Sequence, residues 1–299
     1  MINPLITKAH ILKMYNTQNN SIHRHSFYTN LTSLYSFSHE DEGAFKETID
    51  IEPSGSILGK LLQNHYYSFN HDLTKTIGYI LRAVVEYGKV YLEIQKETIH
   101  EENGKDVICA LKLKVLYGEI KWKTKYSYIV YVYNHELKRV SKRKIPKDCL
   151  IVFDLKDIGL KRSTFSRLLK KLNKNDITKR STRLLEEVPE YDFACHMNHA
   201  DLQLLKQTRE IGWTFRVDTL TDSHILYRKI KQEKLKIQML DYILEKLNEG
   251  LCQSFCQDNC TNEFGEIVAN IKRLDYDDLW SKYSNGELST EQLSNSLFI

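Results

Sequence analysis

The fold class that the sequence predicts is α+β: an amphipathic helix leading into an antiparallel β meander, followed by a mostly helical C-terminal half with one long helix. Three observations predict it. Apolar residues recur at helical spacing across residues 72–87, strand-like alternation with short turns follows as far as residue 155, and a seven-residue apolar repeat runs over residues 230–251. An apolar content of 41% with 27% charged residues is typical of a globular chain.

The sequence divides into three predicted regions. Residues 1–55 form a polar N-terminal arm, residues 56–160 a domain built from a helix and a basic β meander, and residues 161–299 a helical domain with its long helix near residues 222–250. No apolar run approaches the roughly 18 residues that span a bilayer, and the N-terminus lacks the apolar core of a signal peptide. We therefore expect an intracellular protein with no membrane partner.

The first predicted helix is defined by one apolar face and by its two ends. The face consists of residues spaced three and four apart: Leu73, Ile77, Ile80, Leu81, Val84 and Val85. Asp72 is the expected N-cap, because a carboxylate there accepts hydrogen bonds from the free amides of the first turn. Gly88 suits the left-handed position just beyond a helix end. The alternation that starts at Val90 predicts that a strand follows at once.

The meander is predicted to contain five strands. Asn103-Gly104 predicts a two-residue hairpin, since both residues tolerate positive φ, and Gly118 is expected to close the strand after it. Residues 125–133 are apolar on both faces, which indicates a central strand, and residues 136–145 predict a basic edge strand. Residues 148–155 predict a final buried strand. Short turns between consecutive strands favour antiparallel pairing.

The C-terminal half is predicted to be helical. Ser163 is placed to cap its first helix, and the basic stretch 171–183 is typical of a loop or linker. The long helix carries an apolar stripe with heptad spacing: Ile230, Ile237, Leu240, Leu244, Leu247 and Leu251. This stripe either packs within the chain or joins copies of it.

Charge is distributed unevenly along the chain. Residues 111–182 contain 20 Lys and Arg against 6 Asp and Glu, a net charge of +14. The whole chain contains 43 and 39, so the remainder has 43 − 20 = 23 basic and 39 − 6 = 33 acidic residues, a net charge of −10. Such an asymmetry indicates a basic surface that faces a polyanion, and the plainer alternative is a solvated basic face without a ligand.

Four stretches of the sequence resemble the portal proteins of tailed bacteriophages. The first is AVVEYGKVYLEI at residues 83–94, where an amphipathic helix ends in a glycine and a strand follows. KIPKDCLIVFDL at residues 144–155 resembles the strand that follows the β-rich wing of these proteins, and residues 227–251 resemble their long helix. LWSKYSNGELSTEQL, residues 279–293, resembles a pattern near portal C-termini. The resemblance covers residues 73–160 and 223–295.

This resemblance implies a structural function without covalent chemistry. Portal subunits form a homo-oligomeric ring that conducts double-stranded DNA during packaging and ejection, in the host cytoplasm and then in the virion. The DNA-contacting candidates are basic residues of the predicted edge strand and linker: Lys138, Arg139, Lys142, Arg143, Lys144, Lys170, Lys171, Lys174, Lys179 and Arg180. The interface candidates are the heptad residues Ile230, Ile237, Leu240, Leu244 and Leu247.

Two alternatives from other functional classes remain open. Glu136 and Lys138 have the spacing found in metal-dependent nucleases, in which a carboxylate holds Mg²⁺ and a lysine steadies the attacking water, with Asp106 as a second carboxylate. The other alternative is a non-catalytic single-strand binder that stacks bases on an aromatic platform. That platform would consist of Tyr126, Tyr128, Tyr131 and Tyr133, which otherwise pack the sheet.

The six cysteines are expected to be reduced thiols, and no metal or cofactor is predicted. Cys252, Cys256 and Cys260 recur at every fourth residue, but zinc sites usually contain closer cysteine pairs and need a fourth ligand. Buried small apolar side chains are the favoured interpretation, and a structural zinc clip completed by Cys195, His196 or His199 is the alternative. No phosphate-binding glycine loop, nucleophile elbow or H-E-x-x-H motif is present.

Overall fold

A computed structural model describes residues 26–27, 30–31, 35–37, 45–47, 49–63, 69–100, 106–134, 136–174, 202–213, 221–255, 263–271 and 273–298. These residues fall into two compact units. The first unit contains the described residues of 35–163 and 240–271, and the second contains those of 26–31, 164–239 and 273–298. Within the described part of the chain, no helix combines the length and the apolar character needed to cross a membrane.

The first unit contains every strand that the structure describes. Its strands are β1 (Tyr35–Phe37), β2 (Phe45–Glu47), β3 (Ile49–Glu52), β4 (Lys89–His100), β5 (Asp106–Leu116), β6 (Gly118–Lys123), β7 (Ser127–Asn134), β8 (Arg139–Pro146), β9 (Leu150–Asp154) and β10 (Glu266–Ala269). Helices α1 (Ile57–Gln63) and α2 (Phe69–Tyr87) precede β4, and short 3₁₀ turns cover Lys147–Cys149 and Leu155–Ile158.

Four further helices follow β9 along the chain, two before β10 and two after it. They are α3 (Ser163–Lys174), α4 (Asp222–Phe255), α5 (Tyr276–Ser284) and α6 (Thr290–Phe298), and residues 202–208 are also helical. α4 is the predicted long helix, and its C-terminal part from Leu240 belongs to the first unit. The predicted α+β class, with antiparallel strands followed by a long C-terminal helix, is confirmed.

All strand pairs in the described residues are antiparallel, but they form two three-stranded sheets where one meander was expected. The orders are β5–β4–β9 and β6–β7–β8, with two small pairs, β1–β2 and β3–β10, beside them. β7 is central and β8 is an edge strand, as predicted. β6 was not predicted, and Gly118 begins β6 rather than closing β5. His100 lies opposite Asp106, which confirms the predicted β4–β5 pairing, while Asn103-Gly104 lies outside the described residues.

α2 and β4 meet at Gly88, as the sequence predicts. The six apolar residues of the predicted helix face are each at most 1% exposed. Gly88 has a φ of 74° and its amide donates to the Val84 carbonyl at 2.8 Å, which ends the helix in the left-handed conformation. The Leu155 amide donates to the Gly88 carbonyl at 3.1 Å, so β9 is tied to the same point. Asp72 lies inside α2, which begins at Phe69, so the predicted N-cap is wrong.

The two three-stranded sheets pack on each other through a buried apolar cluster. Its members come from β4, β5, β7, β8 and β9: Tyr91, Leu116, Val130, Val132, Ile145 and Leu150. Val130 and Val132 are two residues apart and therefore lie on the same face of β7. The other face of β7 places Tyr131 and Tyr133 against Tyr87 and Tyr117. Both faces of β7 are therefore covered over much of its length, as expected of a central strand.

A buried polar junction joins the end of β9 to α4. Asp154, which is 7% exposed, accepts hydrogen bonds from Arg162 Nε at 2.9 Å and from the Lys156 amide at 3.2 Å. The Tyr242 hydroxyl accepts from the Asp154 amide at 2.8 Å and donates to the Asp157 carboxylate at 2.7 Å. Burial alone would raise the pKa of Asp154, but the hydrogen bonds from Arg162 and Lys156 and the nearby positive charges outweigh it and lower this pKa below its usual 3.8.

The Asp154 junction gives a prediction on stability and pH. Asp154→Asn is expected to lower the free energy of unfolding by about 2 kcal/mol at pH 7, because the buried carboxylate of Asp154 loses its charge-assisted hydrogen bonds with the partly exposed Arg162. The pKa of Asp154 is lower in the folded than in the unfolded protein. Its carboxylate therefore contributes fully to the free energy of unfolding above the unfolded pKa of about 4, and this contribution disappears as the pH falls through the folded-state pKa. The difference in free energy of unfolding between Asp154→Asn and the wild type, measured by urea unfolding, should therefore narrow as the pH falls from 5 to 2.

Asp277→Asn is the matched control for Asp154→Asn. The Asp277 carboxylate pairs with Lys234 at 2.7 Å but its side chain is 84% exposed. We expect a change of less than about 1 kcal/mol, since exposed ion pairs contribute little. Equal losses for the two variants would contradict the structural role of Asp154.

The second unit is built around buried aromatic rings. Phe27, Phe165 and Trp213 are each fully buried, and the ring centroid of Phe27 lies 6.2 Å from that of Phe165 and 5.5 Å from that of Trp213. Arg228 of α4 is also buried and donates to the carbonyls of Leu205 at 2.5 Å and Trp213 at 3.2 Å. Leu205 lies in the last turn of the helical residues 202–208, so Arg228 satisfies a carbonyl at the end of that helix and ties it to the backbone at Trp213.

Candidate nucleic-acid interface

The β6–β7–β8 sheet, which we call the basic sheet, carries a high density of positive charge. Between residues 120 and 147 the chain has nine Lys and Arg and one acidic residue, Glu136. Eight of the nine are exposed or half-exposed and form no ion pair within the described part of the chain: Lys121, Lys123, Lys125, Lys138, Arg139, Lys142, Lys144 and Lys147. A dense set of unneutralised cations on a fixed sheet is the electrostatic pattern of a polyanion-binding surface.

β8 presents its lysines at the edge of the basic sheet. Among the described strands it pairs with β7 alone, with Lys142 opposite Tyr131 and Lys144 opposite Ile129. Because these two lysines are two residues apart in a strand, they lie on the same face, about 7 Å apart along the strand. Because each ammonium group sits on a flexible stem, one nucleic-acid strand can contact both lysines through nearby phosphates.

Arg143 has a structural role that the sequence did not indicate. Its guanidinium donates to the Glu93 carboxylate at 2.7 Å, and Glu93 is only 8% exposed. Glu93 lies in β4, so this pair links the two three-stranded sheets. Gln95 also donates to the same carboxylate at 2.9 Å. Arg143 therefore neutralises a buried acid, and we remove it from the set of primary phosphate contacts.

Lys138 and Glu136 lie in the turn between β7 and β8. Lys138 has a φ of 47°, and the Leu137 amide donates to the Asn134 side chain at 2.8 Å, which closes the turn. Both charged side chains are exposed. Asp106, the second carboxylate of the nuclease alternative, begins β5 in the other three-stranded sheet. Among the described residues, no group of three or more His, Cys, Asp or Glu is placed to hold a metal ion.

The opposite end of the basic sheet is a rigid hairpin between β6 and β7. The Thr124 amide donates to the Ser127 carbonyl at 2.8 Å, and the Ser127 amide donates to the Thr124 hydroxyl at 2.9 Å. The Lys147 amide also donates to the Tyr126 carbonyl at 3.1 Å. These bonds fix the backbone that carries Lys123, Lys125 and Tyr126.

Two aromatic side chains of this hairpin are exposed. Trp122 is 46% and Tyr126 73% exposed, and the ammonium groups of Lys142 and Lys125 lie 5.7 and 5.1 Å from their respective ring centroids. The four-tyrosine platform of the single-strand alternative does not form, whereas packing within the sheet, the other interpretation of these tyrosines, is confirmed for Tyr131 and Tyr133. Tyr131 and Tyr133 are buried in the sheet packing, Tyr128 is half-buried, and only Tyr126 is well exposed. Trp122 was missed, although its alternation with Lys121 and Lys123 is a readable signal.

The remaining basic candidates belong to α3 or follow it. Lys170 and Lys171 are exposed on α3, and Lys174 is its last residue. Lys179 and Arg180 lie outside the described residues. α3 from Thr164 onward belongs to the second unit, so these lysines form a set separate from the basic sheet.

The heptad residues of α4 are buried within a single chain. Ile230, Leu240, Leu244 and Leu247 are each at most 5% exposed, and Ile237 packs beside the cluster that contains Ile230. That cluster also includes Tyr276 of α5 and Leu293 of α6. Of the two possibilities that the heptad pattern left open, packing within the chain is the one that the structure shows.

The cysteines differ from the expectation of reduced thiols. Cys252 is disulfide-bonded, so that expectation is wrong for this residue, whereas Cys109 and Cys149 are free. Burial, with the nearby Asp148 carboxylate, raises the pKa of the Cys149 thiol, which therefore stays protonated near neutrality and is a poor nucleophile. The other members of the suggested zinc clip, Cys256, Cys260, Cys195, His196 and His199, lie outside the described residues.

No family model matches the sequence, and a search of curated proteins finds no match.

Proposed function

We propose that this protein is a non-catalytic subunit of a homo-oligomeric ring that contacts double-stranded DNA through its basic sheet, as the portal resemblance implies. The observation that carries the proposal is the set of unpaired cations on β8 and on the β6–β7 hairpin. Lys142 and Lys144 are its centre, and Lys138 and Arg139 extend it along the edge. Lys170 and Lys171 of α3 are secondary contacts in this proposal.

Phosphate contacts of this kind suit a polymer that must move past the protein. Lysine ammonium groups bind phosphates without reading sequence, and each contact releases counterions, so affinity falls steeply as salt rises. Their reach on a flexible stem lets a contact shift from one phosphate to the next. The backbone of the basic sheet holds the lysines at fixed positions, and their flexible side chains let the ammonium groups follow moving phosphates.

The absence of cleavage separates this proposal from the nuclease alternative. A labelled duplex of about 20 base pairs should bind in EDTA and remain intact after incubation with Mg²⁺ or Mn²⁺. Metal-dependent cleavage that disappears in Lys138→Ala would overturn the non-catalytic proposal in favour of the nuclease. The duplex should be tested at low salt first, since nonspecific affinity weakens by orders of magnitude between about 50 and 200 mM salt.

The ring part of the proposal predicts a closed, high-mass assembly. The heptad stripe is used inside the chain, so subunit contacts have to come from other surfaces. Light scattering of the purified protein, with and without duplex DNA, should give one discrete mass that is a large integer multiple of 35.2 kDa. A monomer or dimer under both conditions would contradict the ring while leaving DNA contact by the basic sheet testable on its own.

A further inference from the structure

We infer that the tip of the β6–β7 hairpin binds unpaired nucleobases by stacking them on Trp122 and Tyr126. This inference rests on the proposed nucleic-acid function and adds a chemical preference to it. Phosphate contacts alone do not distinguish paired from unpaired strands, whereas exposed aromatic rings need access to a base face. A duplex encloses its base faces, so the ligand class is single strands, gaps and frayed ends.

The exposure of the two rings is the first observation. Trp122 and Tyr126 are 46% and 73% exposed, although burial of such side chains is strongly favourable. Each ring has a lysine ammonium near it, Lys142 at 5.7 Å from the Trp122 centroid and Lys125 at 5.1 Å from the Tyr126 centroid. In this arrangement a nucleobase can stack on each ring while the phosphate of the same nucleotide binds the neighbouring lysine.

The rigidity of the hairpin is the second observation. The paired bonds between Thr124 and Ser127, together with the Lys147 amide bond to the Tyr126 carbonyl, hold the tip in one backbone conformation. A platform that is already ordered loses little conformational freedom when a base stacks on it. The ammonium groups of Lys123 and Lys147 lie 5.8 and 5.9 Å from the ring centroid of Tyr128. Further positive charges therefore lie next to the tip along β7.

The main competing ligand for a basic and aromatic tip is an anionic lipid surface. Residues 121–126 contain no Leu, Ile, Val, Met or Phe, so Trp122 and Tyr126 are the only large apolar side chains of the tip. A membrane-inserting tip gains affinity from buried aliphatic as well as aromatic area, whereas base stacking needs only flat rings beside cations. The composition of the tip therefore favours nucleobases.

The experiment compares two nucleic acids and one membrane. Fluorescence anisotropy would measure the binding of a labelled 20-nucleotide oligo-dT strand and of a closed dumbbell duplex without free ends. Cosedimentation would measure binding to vesicles of phosphatidylcholine with phosphatidylserine. The variants are Trp122→Ala with Tyr126→Ala, Trp122→Phe with Tyr126→Phe as the conservative pair, and Leu137→Ala as an exposed apolar control at the far end of the basic sheet. Circular dichroism and urea unfolding check that each variant is folded.

We expect the double alanine variant to lose affinity for oligo-dT by about 30-fold or more and for the dumbbell by less than about threefold. The double phenylalanine variant and Leu137→Ala should keep most of the affinity. Unchanged oligo-dT binding, equal losses on both nucleic acids, or a loss confined to vesicles would each overturn the inference. If wild-type protein binds the dumbbell but not oligo-dT, the inference fails and the proposed function stands. If the wild-type protein binds neither the dumbbell nor oligo-dT, both this inference and the proposed function fail.

Discussion

Replacing Lys142 and Lys144 together by glutamate is expected to weaken duplex binding by about 100-fold or more at low salt. The change removes two cations that face the same side of β8 and places two anions where phosphates would lie, and like charges in contact cost several kcal/mol. Both side chains are exposed and neither takes part in an ion pair within the described residues. The fold should therefore be nearly unaffected, which urea unfolding can verify.

The matched control is the pair Lys170→Glu and Lys171→Glu on α3. It changes the net charge by the same amount at exposed positions outside the basic sheet. Because we regard these lysines as secondary contacts, we expect a loss of less than about tenfold. Equal losses in the two pairs would show that affinity follows net charge and not the basic sheet. A larger loss on α3 would move the interface there.

Gly88→Ala is expected to lower the free energy of unfolding by at least about 3 kcal/mol. Gly88 has a φ of 74°, which disfavours any residue with a Cβ. A Cβ there would also lie 2.7 Å from the Arg162 Cα and closer still to the Arg162 carbonyl oxygen, so backbone would have to move. The displaced segment carries Arg162 away from Asp154, which adds the loss of a part-buried charge-assisted contact. Urea unfolding measures the change.

Gly159→Ala separates the two causes of that loss. Gly159 has a φ of 77°, close to that of Gly88, but an added Cβ there would meet no atom within 4 Å. We expect a loss of about 1 kcal/mol from backbone strain alone. If the two alanine variants lose equal stability, the close approach of Arg162 to Gly88 is not what makes glycine necessary.

The sequence predicted those features that depend on local pattern. The buried face of α2 follows from 3.6-residue periodicity, and the end of that helix follows from Gly88, since both signals lie within a few residues of the structure they determine. The central position of β7 and the edge position of β8 follow from their apolar and basic compositions.

Features that depend on distant partners were not predictable. Arg143 pairs with Glu93 fifty residues away, and no local pattern distinguishes this arginine from its neighbours. An apolar stripe shows that α4 is buried but not what covers it, so Ile230 was equally compatible with an interface between copies. β7 has aromatic rings on both faces, and only the packing of Tyr131 against other tyrosines shows that it is unavailable.

β6 was missed for a different reason. Its residues alternate lysine with apolar side chains only briefly, and a register shift between Ile120 and Trp122 interrupts the pairing with β7. That irregularity weakens the two-residue period on which the prediction of a strand depends. Trp122 was therefore not assigned to any surface before the structure placed it.

The central claim is that the cations of β8 contact nucleic-acid phosphates. The most direct test is the slope of the logarithm of duplex affinity against the logarithm of salt concentration, compared between wild type and the Lys142→Ala, Lys144→Ala double variant. Each lost phosphate contact reduces the slope by about 0.9, so two lost contacts predict a slope shallower by roughly 1.8. An unchanged slope, even with weaker binding, would contradict the claim, because it would mean that neither lysine contacts a phosphate.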